Sequence, residues 1–176
     1  MSTGKVCFNH GQESGPWGTK IRHLADLATA RDWAVESLDY QGMADPLARA
    51  AKLAAYCQQL DTPPVLAGSS MGGFVALHVA AQMPVRGLFL LAPALFLPGY
   101  EEHLPATPPT CPIFIVHGWG DDVVPCAGSH RFAQATRSRL LLLDGDHRLT
   151  AQIDRVGAAF DQFLAELDDA DGGRQD

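Results

Sequence analysis

Apolar residues gather along this chain in six short runs, at 5–9, 33–38, 64–67, 87–91, 112–116 and 139–143. The runs are continuous rather than alternating with polar residues, which is the pattern of parallel strands covered on both faces. Between them apolar positions recur at the helical period: Ile21, Leu24 and Leu27, then Leu47, Ala50, Leu53, Ala54, Cys57 and Leu60, then Phe74, Leu77 and Val79 within 70–82. Asp45-Pro46 marks the start of the second helix, an N-cap followed by proline at the first helical position. The final helix carries the stripe Ile153, Val156, Phe160, Phe163, Leu164 and Leu167. It is expected to end there, leaving 168–176 as a frayed acidic tail behind a single domain of residues 1–167.

Strands that alternate with helices predict a three-layer, doubly wound α/β fold with a six-stranded parallel sheet between helices. The alternation fails only at 93–110, where Pro93, Pro98, Pro105, Pro108 and Pro109 leave little helical period. That segment is expected to cross the sheet as irregular loop.

A chain of 176 residues, 47% hydrophobic and 19% charged, is long enough for one full core and too apolar for a disordered segment. Thirteen Lys and Arg against 20 Asp and Glu give a net charge of -7, which argues against a surface built to neutralise phosphates, so no nucleic-acid partner is expected. Met1-Ser2-Thr3-Gly4-Lys5 precedes only a short apolar run, and no stretch approaches the length of a membrane span; a cytoplasmic protein without a membrane partner is the expectation. Cys7, Cys57, Cys111 and Cys126 stand apart among aliphatic residues, with no C-x-x-C pair, and read as buried free thiols, Cys126 being the one near the candidate site.

Three motifs carry chemistry. Gly68-Ser69-Ser70-Met71-Gly72-Gly73 follows a strand and opens a helix, the context of a G-x-S-x-G nucleophile elbow. Glycines on either side leave room for a turn sharp enough to lift the Ser70 hydroxyl above the sheet edge, and the helix start directs the Met71 N–H at an oxygen that becomes negative. Asn9-His10-Gly11-Gln12 ends the first strand on the same edge. Gln12 N–H is the candidate second oxyanion donor, and His10 is read as holding the loop. His117-Gly118-Trp119-Gly120-Asp121-Asp122 follows the fifth strand, with Asp121 the favoured catalytic acid and Asp122 its competitor, since periodicity cannot separate neighbours in a loop. His147, after the sixth strand, is the candidate general base.

Other histidines compete poorly. His78 lies about 12 Å beyond Ser70 along its own helix, His23, His103 and His130 belong to surface elements, and His117 is expected to support the acid loop. The spacing of histidines and acids matches no metal motif, and the glycine-rich turn lacks both the Lys-Ser/Thr pair of a phosphate loop and the G-x-G-x-x-G of a dinucleotide site, so neither metal nor cofactor is expected.

In the order His10-Gly11, Gly68-Ser69-Ser70-Met71-Gly72, His117-Gly118-Trp119-Gly120-Asp121 with Val124-Pro125, and Asp146-His147, the chain resembles the α/β-hydrolase superfamily from Lys5 to Leu167. The resemblance implies a minimal sheet in the order 2-1-3-4-5-6, lacking the family's first two strands. It also implies Ser70 as nucleophile, Asp121 as acid, His147 as base, and Met71 and Gln12 as oxyanion donors. Families of this kind place a lid before the fifth of these strands; here only 93–110 stands in that place, so the chain looks similar to small lidless carboxylesterases and acyl thioesterases. The implied reaction is metal-independent hydrolysis of a small-molecule ester or thioester through an acyl-enzyme. A peptidase or amidase, and a noncatalytic binding protein on the same fold, are the alternatives. Trp17, Met71, Leu95, Phe96, Leu97 and Trp119 are candidates to line the substrate pocket, or to be core, and Arg148 is a weak candidate for a cationic clamp.

Overall fold

The computed structural model describes residues 4–172. Its strands are β1 (Gly4–Asn9), β2 (Trp33–Leu38), β3 (Val65–Ser69), β4 (Gly87–Leu91), β5 (Ile113–Gly118) and β6 (Arg139–Leu143). They pair in parallel, in the order β2-β1-β3-β4-β5-β6, as the resemblance implied. Four helices connect them, α1 (Thr19–Ala30), α2 (Pro46–Cys57), α3 (Met71–Ala80) and α4 (Cys126–Thr136), and a fifth, α5 (Ile153–Gly172), follows β6.

The continuous apolar runs are explained by two cores, one on each face of the sheet. Successive strand residues point to opposite sides. Val6, Phe8, Val65, Ala67, Phe89, Leu91, Phe114 and Val116 therefore meet α1 and α5, while Cys7, Leu66, Leu88, Leu90, Ile113 and Ile115 meet α2, α3 and α4. Phe89 centres the first core, with ring centroids 5.5 Å from Phe114, 5.0 Å from Phe160 and 5.8 Å from Phe163. Each fully buried side chain of this size contributes about 2–3 kcal/mol by leaving water. Helix α3 is buried on nearly every side, as its sequence of Phe, Val, Ala, Leu and Gly requires of a helix packed between α2 and the central strands β1, β3 and β4.

Between β4 and β5 the chain crosses irregularly, with a single 3-10 turn at Glu101–His103 and no inserted lid. Helix α5 corrects the expected boundary at Leu167. It continues to Gly172 because Asp168 and Asp171 find cationic partners: Arg86 reaches Asp171 at 2.5 Å, and both Arg31 and Arg86 approach Asp168 within 3.9 Å. Residues 173–176 of the expected frayed tail lie outside the described residues. No described helix is long and apolar enough to cross a membrane. Cys7 and Cys57 are buried as expected, but Cys111 and Cys126 are partly accessible at loop and helix starts.

Candidate active site

Strand order reverses between β1 and β3, and in doubly wound sheets a crevice opens there at the carboxyl ends of the strands. Ser70 lies at that point, between the end of β3 and the start of α3, with φ 56 and ψ -119. A non-glycine residue in that conformation carries about 1–3 kcal/mol of backbone strain, which the surroundings must hold. Four backbone bonds do so: Ser70 N–H donates to Leu91 O at 2.9 Å, and Ser70 O accepts from Gly73 N–H and Ala94 N–H, both at 3.0 Å, and from Phe74 N–H at 3.3 Å. The flanking glycines are there for close approach. A Cβ on Gly68 would lie 2.2 Å from Gly72 O, and one on Gly72 only 1.9 Å from Asn9 O.

Ser70, His147 and Asp121 meet in one hydrogen-bonded chain. Ser70 Oγ is 3.1 Å from His147 Nε2, and His147 Nδ1 is 2.7 Å from Asp121 Oδ2. Nδ1 faces a carboxylate, so it carries the proton and donates, leaving the Nε2 lone pair for the serine hydroxyl. The Asp121 side chain is fully buried whereas Asp122 is exposed, so only Asp121 faces the imidazole. Burial alone would raise its carboxyl. The bond from His147 and the backbone N–H groups of Val124 and Val123 outweigh that, and hold it below the ordinary carboxylate value. The base loop is shaped by Asp146, whose Oδ1 accepts from Arg148 N–H and Leu149 N–H at 3.0 Å each. The loops of Asp121 and His147 are joined by Trp119 N–H to Leu143 O at 2.8 Å and Gly120 N–H to Gly145 O at 2.9 Å.

Met71 opens α3, where the first N–H groups have no intrahelical partner. Gln12 lies exposed on the loop after β1, and a Cβ on its neighbour Gly11 would sit 3.5 Å from Ser70 Cβ. Behind this loop His10 is buried, its Nδ1 donating to Gly11 O at 2.8 Å and its Nε2 accepting from Tyr40 N–H at 2.9 Å. Burial pushes His10 below its usual value, which suits a neutral, loop-holding imidazole.

Of the pocket candidates, Leu95 and the Met71 side chain belong to the core rather than to a pocket. Both are almost fully buried, and Leu95 follows directly on the backbone turn in which Ala94 N–H donates to Ser70 O. Phe96 is half-buried beneath the Arg131 guanidinium, 3.9 Å from its ring centroid, and Leu97 is half-buried beside it. Trp17 at 39% exposure and Trp119 at 64% stand on the loops around the site. A cavity of about 940 Å³, lined by Thr62, Met83, Pro109 and Leu167, lies at the opposite edge of the sheet. Arg148 is exposed. Among the described residues no three His, Cys, Asp or Glu side chains converge as metal ligands would.

Two cations were missed in the sequence because their partners are far along the chain. Arg49, on α2, is buried and gives all its hydrogen bonds to backbone carbonyls: Met43 O at 2.7 Å, His10 O at 3.0 Å and Gly11 O at 3.2 Å. It turns the carbonyls of the β1 loop inward and stacks on Tyr40, 5.2 Å from the ring centroid. Lys20, on α1, donates to Ser69 Oγ at 3.2 Å, next in sequence to Ser70. Burial disfavours its ammonium and brings it down to about 8, against the attraction of Asp146 and Asp121. Between about 8 and its ordinary 10.5 the folded chain thus binds fewer protons than the unfolded one, so this group's penalty is full below pH 8 and fades as pH rises. Lys20→Met should raise stability at pH 7 by about 1–2 kcal/mol after allowing for solvent screening, or about 3–6 °C in Tm. Calorimetry at pH 7 and pH 10 checks this: the gain should shrink at the higher pH.

A strained serine, a histidine and a buried aspartate, carried on three loops at the carboxyl edge of a doubly wound sheet, define the α/β-hydrolase class of architecture. The chain belongs to the alpha/beta hydrolase family, whose model matches residues 6–174. Among solved structures, it is similar to a Xanthomonas campestris pv. campestris protein assigned to the alpha/beta hydrolase superfamily, at 36% identity and a TM-score of 0.86, over 94% of this chain and 99% of that one. Est1E from Butyrivibrio proteoclasticus shares the fold at 19% identity and a TM-score of 0.79, over 94% of this chain and 88% of its own. A pimeloyl-[acyl-carrier protein] methyl ester esterase of Neisseria meningitidis is 36% identical over 109 residues, covering 56% of this chain. The match takes in 40% of that relative's length.

Proposed function

We propose that this protein is a serine hydrolase that cleaves small carboxylic esters or thioesters through an acyl-enzyme. The observation that carries the reading is the Ser70–His147–Asp121 chain, at 3.1 and 2.7 Å, on a serine whose backbone is strained into the elbow conformation. The likeness to a methyl ester esterase supports an ester substrate.

Ser70 Oγ attacks the substrate carbonyl carbon as its proton passes to His147 Nε2. Negative charge collects on the carbonyl oxygen, where the N–H groups of Met71 and Gln12 are the donors we assign, with the N-terminal field of α3 adding to the first. Asp121 holds the imidazole in the Nδ1–H tautomer and stabilises the imidazolium. The Nε2 proton then goes to the departing alkoxide or thiolate, and the C–O or C–S bond breaks to leave the acyl group on Ser70. Water attacks next, gives its proton to Nε2, and releases the acid while the serine hydroxyl is restored. Trp17, Phe96, Leu97 and Trp119 flank an open site, which suits short acyl groups.

A fluorophosphonate should label Ser70 in the wild type and fail to label Ser70→Ala. A panel of activated esters of increasing acyl length should be hydrolysed with short chains preferred, and at an unchanged rate in the presence of a chelator. Absence of labelling together with a silent panel would overturn the proposal; activity restored only by a metal would overturn the metal-independent mechanism.

A further inference from the structure

The carboxylate of Asp121 serves two histidines. Its Oδ2 accepts from His147 Nδ1 at 2.7 Å and also lies 3.0 Å from Nε2 of His117, the fifth residue of β5. Its Oδ1 accepts from the N–H groups of Val123 at 2.9 Å and Val124 at 2.8 Å. His117 is wholly buried, and its Nε2 is also 2.8 Å from Val124 O. Both neighbours of this nitrogen are acceptors only, so Nε2 must carry the proton and share it between them. Nδ1 is then the acceptor, and its donor is Ser129 Oγ on α4 at 2.7 Å, also fully buried. Burial lowers His117 below its usual value, consistent with an imidazole that remains neutral.

We propose that His117 and Ser129 form a buried clamp that fixes the orientation of the Asp121 carboxylate, making both of them positioning residues for the acid of the reaction. This rests on the serine-hydrolase reading above. The physical need comes from the proton cycle. When His147 shuttles its Nε2 proton between Ser70 and the leaving group, its ring shifts; the valine N–H groups hold Oδ1, but an Oδ2 bonded only to that ring would shift with it. A second imidazole on the same oxygen, fixed by a β-strand on one side and a helix on the other, keeps Oδ2 in place. Ser129 fixes the tautomer: without its O–H, the Nδ1 proton form of His117 becomes accessible, and that form turns a lone pair toward Oδ2.

The test compares wild type, His117→Leu, His117→Gln and Ser129→Ala in steady-state kcat and KM for p-nitrophenyl acetate hydrolysis, and in the low-field proton NMR resonance of the His147 Nδ1–H. Leucine removes the donor; glutamine keeps an amide N–H near the Nε2 position. His117→Leu should lower kcat by about 10- to 100-fold with KM unchanged, the scale of a reacting group displaced by about 1 Å, and should broaden or remove the resonance. His117→Gln should recover most of both. Ser129→Ala, the mildest change to packing, should show the same direction with a smaller loss, so the proposal stays testable if His117→Leu does not fold. A folded His117→Leu or Ser129→Ala with wild-type kcat and an unaltered resonance would overturn the clamp. The resonance is read without turnover, so a wild type inactive on the ester but showing the predicted pattern of resonances would count against the hydrolase reading and for the clamp.

Discussion

Asp121→Asn is expected to lower acylation by about four orders of magnitude, the scale seen when the acid of a serine protease becomes an amide. Four N–H donors converge on this carboxylate, from Val123, Val124, His117 and His147. An amide offers one oxygen. If that oxygen meets the two valine N–H groups, its NH2 faces both imidazoles, and His147 can bond it only by exposing the Nδ1 lone pair. The proton then sits on Nε2, where it blocks transfer from Ser70. Asp122→Asn, exposed and outside this network, should change the rate little. Single-turnover rates for the two folded variants separate this chemistry from product release; a collapse in Asp122→Asn with normal acylation in Asp121→Asn would move the acid role to Asp122. Stability should follow pH in a matching way. The folded carboxyl of Asp121 is held below its ordinary value, so its contribution is present above the ordinary carboxylate range and is lost as pH falls through the folded value. The stability gap between wild type and Asp121→Asn should therefore be widest near neutrality and close in acid.

Gly72→Ala should destabilise the fold by more than about 4 kcal/mol, beyond the range of ordinary substitutions. The added Cβ would stand 1.9 Å from Asn9 O, 2.5 Å from Asn9 C and 2.8 Å from His10 O. All three are backbone atoms of β1 and its following loop, so no side chain can rotate away. Relief requires α3, the most buried helix of the second core, to lift off β1, whose Asn9 side chain is tied to β3 by its bond to Ala67 O. Gly18→Ala, where a Cβ meets nothing within 4 Å, is the control and should change stability by under about 1 kcal/mol. Denaturant melts of both variants would decide it: equal midpoints would mean that the close packing of α3 on β1 is not a constraint.

Sequence patterning located all six strands because the four central ones are buried on both faces and the edge strands β2 and β6 still half-bury most of their residues, so burial left an apolar mark. It misjudged strand ends where polar residues still pair. β3 runs on to Ser69, opposite Leu91, and β5 takes in His117 and Gly118, opposite Leu142 and Leu143. Hydrophobicity has no signal for such positions. The end of α5 was lost for the same reason, since Asp168 and Asp171 extend the helix through ion pairs with arginines far away in the sequence. At the site, Ser70, Asp121 and His147 could be picked out because each stands in a local motif after a strand. The choice between Asp121 and Asp122 needed burial, which adjacent loop residues do not advertise. Arg49, Lys20 and Ser129 had no motif at all. Each sits on a helix whose neighbours read as ordinary amphipathic surface, and each acquires its role from a carbonyl, a hydroxyl or an imidazole brought near by the topology.

The two backbone bonds that tie Trp119 to Leu143 and Gly120 to Gly145 make the acid and the base parts of one mechanical unit, seated on the β5–β6 flank of the sheet. Ser70, the proposed nucleophile, follows directly on β3, with β4 intervening. When the sheet flexes about its long axis, the distance within the unit is conserved and the strain falls on the 3.1 Å gap between Ser70 Oγ and His147 Nε2. Warming should therefore uncouple the nucleophile from an intact acid–base pair before the molecule unfolds, so that the temperature at which turnover fails lies below the one at which the sheet melts.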